Sequence, residues 1–435
     1  DQILTIPRGS KNEAAIRQHV IALAEKNGLK YELDRTGNLL VRKAGLAGHE
    51  EAPVTVLQSH LDMVNEKNSD VEHDFDTDPL TPQRDGEYLK ATGTTLGSDN
   101  GIGVAAALAV MDSTDIAHGR LELLFTIDEE TGLTGASGLD GKMLEGRQLI
   151  NMDSEEEGTL CVGCAGGADS TLTLDLATTP TPPGLVGRKI RLHGLKGGHS
   201  GVDAHLQRGN AIKLLVRALN AVAINTRFHI VSVEGGSAHN AIPREAFVEV
   251  VVAERDVAAF ESRLKQEIDS IADEFRPAEP DITLEVSQTE PAAQVFAQDT
   301  AQTVVRLITG LPHGVMSMSY DIPDLVETST NLATVVQSDG RLVIGMSSRS
   351  SVESALVALR QRIRATGELA GAAIEEGNGY PGWKPNLDSH LLAVFQRLHE
   401  KELGSEPHVK AIHAGLECGL IGEKVSGMDM ISFGP

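Results

Sequence analysis

Val54-Thr55-Val56-Leu57-Gln58-Ser59-His60-Leu61-Asp62 is the stretch whose reading decides the fold. An apolar run at 54–57 leads straight into a histidine and an acid, and the pattern recurs. The run at 121–127 ends in Asp128-Glu129-Glu130, and that at 148–152 ends in Asp153-Ser154-Glu155-Glu156-Glu157. Between them, Gly97-Ser98-Asp99-Asn100-Gly101 sits immediately before a helix, leading into the Ala/Val-rich segment 103–111. Apolar runs separated by helical stretches predict an α/β layer with a central, mostly parallel sheet flanked by helices.

In an open α/β sheet the ligand site lies beyond the carboxyl ends of the strands, so these clusters are expected to converge on one rim. One acidic cluster alone is more often a solvated loop. Several together, one of them carrying a histidine, point to a site. Converging carboxylates repel one another unless a cation sits among them. Imidazole with carboxylates suits zinc, with manganese or cobalt as alternatives. His60 and Asp62 are two residues apart and share a face in extended chain. A carboxylate beside a metal-bound imidazole commonly fixes its tautomer.

With 435 residues the chain is too long for one ordinary core, and two domains are expected. Its 62 acidic against 38 basic residues leave a formal net charge of −24, which argues against nucleic acid and anionic membranes as partners. Three cysteines do not make a disulfide framework and fit a reducing compartment, so a cytoplasmic location is expected. The opening Asp1-Gln2-Ile3-Leu4 has no signal-peptide pattern, and the missing initiator Met reads as a trimmed start. Ser10-x-x-Glu13 reads as a capping box ahead of an amphipathic helix that runs to about Asn27, with Ile16, Val20, Ile21 and Ala24 on one face.

The proline-rich Thr178-Thr179-Pro180-Thr181-Pro182-Pro183-Gly184 reads as a linker. Beyond it, strands at 189–193 and 246–252 mix with helical patterns at 210–222 and 257–275, which is α+β character. A second Gly/Pro cluster, Asn378-Gly379-Tyr380-Pro381-Gly382, precedes a helical stretch at 389–403. The expected division is a first domain from 1–184 and 379–435, with a second domain of 185–378 inserted into it.

His60-Leu61-Asp62, Ser98-Asp99-Asn100, Asp128-Glu129-Glu130 and Asn151-Met152-Asp153 resemble the ordered motifs of the co-catalytic zinc metallopeptidase family that includes aminoacylases, carnosinases and glutamate carboxypeptidases. Gln58 through Val64, Gly93-Thr94-Thr95-Leu96-Gly97, Asp153 through Gly158 and Ile412-His413-Ala414-Gly415-Leu416-Glu417-Cys418-Gly419 are similar to its bacterial aminoacylhistidine dipeptidase branch. The resemblance covers nearly the whole chain. It implies two zinc ions: His60 and Asp153 on one, Glu130 on the other, and Asp99 bridging. It further implies Glu129 as general base on a metal-bridging water, and Asp62 as the group that orients His60. That division agrees with the general chemistry, in which metals acidify water and a carboxylate outside their shell takes the proton.

The resemblance also assigns residues of the inserted domain, which it implies is a lid and homodimerisation domain. His199 in Gly197-Gly198-His199-Ser200-Gly201 would stabilise the oxyanion, often across a dimer. Asn240 and Arg349 match positions that contact substrate, and Arg349 could grip a terminal carboxylate through two parallel hydrogen bonds. Glu417 could meet the free amine of a dipeptide. The implied substrates are unblocked dipeptides, preferentially Xaa-His such as β-alanyl-histidine. A broader di- or tripeptidase and an N-acyl-amino-acid deacylase are the alternatives.

In that family a Gly-Pro like Gly434-Pro435 leads into a stretch holding a last histidine ligand, which these residues do not contain. Without it, the second zinc would have only Asp99 and Glu130, and a non-catalytic metal- or peptide-binding protein becomes a further reading. His413 matches a different motif and does not substitute. Cys161-Val162-Gly163-Cys164 has redox spacing but no thioredoxin-like helix start, so buried cysteines are expected. The glycines of 97–103 lack the lysine and Ser/Thr of a Walker loop.

Overall fold

The computed structural model describes residues 2–434. The chain forms two compact units and passes between them several times. One runs to Cys164 and takes up Trp383–Ala411 and the chain from Leu416; the other is Ala165–Gly382 with Ile412–Gly415.

The first unit is built on an eight-stranded sheet. Its strands are β1 (Lys30–Leu33), β2 (Leu39–Lys43), β3 (Thr55–His60), β4 (Leu121–Thr126), β5 (Gln148–Asn151), β6 (Thr159–Cys164), β7 (His408–Ile412) and β8 (Asp429–Ser432). The order is β1-β2-β4-β3-β5-β8-β6-β7. β3 pairs in parallel with β4 and β5, and β8 in parallel with β5, whereas β1, β2 and β6 join antiparallel. The parallel sheet is therefore the centre of a mixed one. Helix α1 (Ala14–Lys26) buries Ile16, Val20, Ile21 and Ala24, and α2 (Ser98–Asp112) buries Val104, Ala107 and Met111, in one core with Leu39, Val41, Leu123 and Phe125 of the sheet.

The capping box expected at Ser10 and Glu13 does not form. Glu13 occupies the position before α1 without a side-chain cap, and its Oε1 accepts instead from the Lys11 and Asp128 amides at 2.7 and 3.0 Å. Ser10 Oγ donates to Asp62 Oδ2 at 2.8 Å. The Asp128 amide and the Asp62 carboxylate are buried with no water to turn to, so they claim these side chains ahead of a helix start.

The second unit is an antiparallel sheet backed by helices Ala211–Val222, Val257–Phe275, Gln298–Gly310 and Glu353–Leu369. Its chain begins earlier than the composition suggests. Gly166–Asp175 pairs with Arg341–Ser350 along its length, which draws the boundary back from 184 to Cys164/Ala165. The proline-rich run is not a linker either: Thr178–Pro180 pairs with Gln294–Phe296 in a short two-stranded sheet, where proline is tolerated because nothing lies beyond it. Phe260 anchors the core at 0% exposure, edge-on to Phe228 with centroids 5.2 Å apart. Phe260→Ala is expected to destabilise this unit by about 3–5 kcal/mol, checked by denaturant unfolding.

Among the described residues no helix is long and apolar enough to cross a membrane. Cys161, Cys164 and Cys418 are buried, and burial pushes the Cys164 thiol up to about 12, which leaves no reactive thiolate there.

Candidate metal centre

β3, β4 and β5 run in the same direction, so His60, the segment after Thr126 and the segment after Asn151 emerge at one edge of the sheet. His60 is the hub and is 1% exposed. Its Nε2 lies 2.9 Å from Asp99 Oδ1 and 3.2 Å from Asp153 Oδ1, and its Nδ1 lies 3.3 Å from Asp62 Oδ1. The Asp62 carboxylate also accepts from the Glu129 and Glu130 amides at 3.1 and 3.2 Å. It thus fixes the imidazole and the Glu129-Glu130 turn together. Asp99 enters from the start of α2 through a cis Asp99–Asn100 bond, and Asn100 Nδ2 donates to Asp153 Oδ1 at 2.7 Å.

Glu129 and Glu130 open a single helical turn, Glu129–Gly132, and their side chains diverge. Successive residues of a helix point about 100° apart.

The electrostatics are those of acids crowded together. Burial pushes the Glu129 carboxyl up to about 9, with the Asp153, Glu417 and Glu130 charges adding to it against His60. Burial and then Asp99 bring Glu130 to about 7. Burial also raises Asp153. His60 is raised well above its ordinary range: burial opposes the charge, but Asp153, Asp62 and Asp99 outweigh it. Burial works against Asp62 as well, yet His60, the Glu129 amide and Ser10 hold it at about 2. One proton-rich histidine cannot neutralise this many carboxylates, and a divalent cation would.

The donor set fits one. Single ligand atoms of His60, Asp99 and Glu130 all fall within 4.8 Å of one another. Glu13, Asp62 and Asp128 also cluster, but their oxygens are taken by the Lys11 and Asp128 amides, by Ser10 and the Glu129 and Glu130 amides, and by Thr131 and Thr134. That second cluster is an anchor.

Glu417 lies in the first unit at 0% exposure. Its Oε2 accepts from Gln58 Nε2 at 2.6 Å and Thr126 Oγ1 at 2.7 Å, while Oε1 has no protein partner. Burial brings this carboxyl to about 7. Behind it Asn151 Nδ2 donates to Gln58 Oε1 at 2.6 Å, so a buried polar row crosses the strand ends. Gln58 and Asn151 stood inside the quoted motifs, but a glutamine and an asparagine at strand ends carry no signal that separates this role from ordinary core polarity.

The other three expected residues belong to the second unit. Gly198, at φ +132, lets the loop reach His199, whose amide donates to Asp203 Oδ2 at 2.9 Å. His199 Nδ1 accepts from the Gly201 and Val202 amides at 3.3 and 3.0 Å, which leaves the ring proton on Nε2. Burial and then the Arg349 charge lower its pKa, so the ring is a neutral donor. Arg349 is 8% exposed and its Nη1 donates to Tyr380 Oη at 2.9 Å. Asn240 is exposed, and its carbonyl accepts from the Ser200 amide at 2.8 Å, beside His199. His413 is a partner of Ser329 Oγ at 2.7 Å in this same unit, where burial pushes it down to about 3. It is no member of the acid cluster.

Residues 56–435 match Peptidase family M20/M25/M40. The chain is 40% identical over 434 residues to the cytosol non-specific dipeptidase of Escherichia coli strain K12, covering 100% of this chain and 90% of that one. It is 42% identical to the aminoacylhistidine dipeptidase of Vibrio alginolyticus, whose crystal structure superposes with a TM-score of 0.92 over 100% of this chain and 89% of that one. An aminopeptidase PepT structure from Bacillus cereus shares the fold at 17% identity, with a TM-score of 0.52 over 100% of this chain and 87% of that one. This chain therefore belongs to Peptidase family M20/M25/M40.

Proposed function

We propose that the protein is a cytoplasmic di-zinc dipeptidase that hydrolyses unblocked dipeptides, preferentially with a C-terminal histidine. The observation that carries this reading is the buried His60, in contact with Asp99, Asp153 and Asp62 at the strand ends, with Glu129 and Glu130 on the adjoining turn. His60 and Asp153 would hold one ion and Glu130 the other, with Asp99 a ligand that would serve both. Bound there, the ions would polarise the scissile carbonyl and acidify water.

The chain's own groups do the rest. Asp62 keeps the His60 proton on Nδ1, so that Nε2 is free as a ligand atom. Glu129 takes the proton of the attacking water and returns it to the leaving amine. His199 Nε2–H donates to the oxyanion that develops on the carbonyl. Arg349 pairs with the substrate carboxylate, and Asn240 adds a polar contact. Glu417, through its unpartnered Oε1, receives the free amine. The homodimer is part of the proposal and rests on the resemblance; light scattering of the purified protein measures it.

The two similar dipeptidases carry names that divide on breadth, one non-specific and one for aminoacylhistidine. β-Alanyl-histidine, alanyl-alanine and N-acetyl-histidine are therefore compared on metal-stripped protein before and after zinc. The expected result is zinc-restored turnover of the first. A faster rate on N-acetyl-histidine than on free-amine dipeptides would make the enzyme a deacylase. No turnover with bound zinc would favour a binding protein.

A further inference from the structure

Arg8 is buried, with 1% exposure, beside the acid cluster. Its Nη1 donates to the carbonyls of Leu61 and Asp62 at 3.0 and 2.9 Å, and its Nη2 to the carbonyl of Gly97. Those carbonyls belong to the two segments that present His60 and Asp99. The segment around Arg8 is itself tied down, because its carbonyl accepts from the Met63 amide at 3.1 Å.

The first turn of α2 and the residue before it are shaped to the guanidinium. Gly97 has φ +65, and a Cβ there would lie 2.6 Å from Arg8 Nη2; at Gly101 it would lie 2.8 Å away. The charge has no carboxylate in direct hydrogen bond among the described contacts, and the acids it feels are Asp62, Asp99 and Glu130. A buried cation is costly unless its donors are met and anions lie close. Arg8 has both. Residue 8 also lies outside the 56–435 that match the family.

We propose that Arg8 is a positioning residue of the metal centre, a fork that clamps the His60-Leu61-Asp62 exit of β3 to the Gly97-Ser98-Asp99 entry of α2 and so sets the spacing of two ligands. This rests on the reading of His60, Asp99, Glu130 and Asp153 as metal ligands. A lysine keeps the charge but presents a compact ammonium without the planar fork, so it cannot hold the three carbonyls together.

The test is zinc affinity of the folded, metal-stripped full chain, by competition with a chromophoric chelator, for the parent, Arg8→Met, Arg8→Lys, Asp99→Asn and Glu122→Gln. Circular dichroism confirms that each is folded. Glu122 is a control for general damage: it is 2% exposed and accepts from the Glu145 and Gly146 amides in the same unit. Arg8→Met and Arg8→Lys are expected to weaken zinc binding about 10–100-fold, the range for groups that orient a ligand, with Glu122→Gln unchanged. If Arg8→Met does not fold, Arg8→Lys decides alone. Arg8→Lys binding zinc as tightly as the parent, or Glu122→Gln weakening it as much as the Arg8 variants, overturns the proposal. Asp99→Asn separates the two levels: if it too binds like the parent, the metal reading fails, and not only the role of Arg8.

Discussion

Glu129→Gln is expected to keep its zinc and lose about 10²–10⁴-fold in turnover, the contribution typical of a positioned general base. The amide keeps the shape and the place in the Glu129–Gly132 turn, whose amides are held by Asp62. It removes the carboxylate that would take the proton. The ligand atoms gathered within 4.8 Å are those of His60, Asp99 and Glu130, and Glu129 is not among the proposed ligands. Turnover of β-alanyl-histidine at saturating zinc and zinc content per chain are measured on the same sample. Retained turnover removes Glu129 from the mechanism. Lost zinc makes it a ligand.

His199→Ala is expected to lower turnover about 10²–10³-fold, the usual cost of deleting one oxyanion donor, with zinc content preserved. The geometry behind this is specific. Two backbone amides occupy Nδ1, so the ring carries its proton on Nε2, and burial with the nearby Arg349 keeps it neutral. A neutral Nε2–H gains most from a developing negative charge and little from a ground-state carbonyl, so the loss should appear in kcat more than in KM. Zinc loss in His199→Ala would mean that the histidine is a ligand. An equal rise in KM without a fall in kcat would make it a substrate-binding group.

Much of the centre was legible because metal chemistry demands particular residue types at strand ends. His60, Asp62, Glu130 and Asp153 are few, polar and placed just after apolar runs, Asp99 stands at a glycine-flanked helix start, and the structure brings them to one sheet edge. The residues that support them were not legible in the same way. Ser10 and Glu13 carried a local signature for a helix cap, and local signatures lose when buried tertiary partners offer stronger hydrogen bonds. Arg8 had no signature at all, since an arginine near a chain start is ordinary surface until its acceptors, the carbonyls of Leu61, Asp62 and Gly97, are known.

The order of apolar runs and chemical residues by itself determined that this is an α/β protein with a carboxylate–histidine centre, because strand burial and cation binding each tolerate few residue types. Tertiary structure alone decided the domain boundary, since Gly166–Asp175 joins the second sheet through pairing with a strand more than 160 residues later. It also decided which carboxyls are pushed up and which are held down, because a pKa depends on burial and neighbours. The tautomer of His199 was likewise unreadable in the chain, since it follows from two amides that only the folded loop aims at Nδ1.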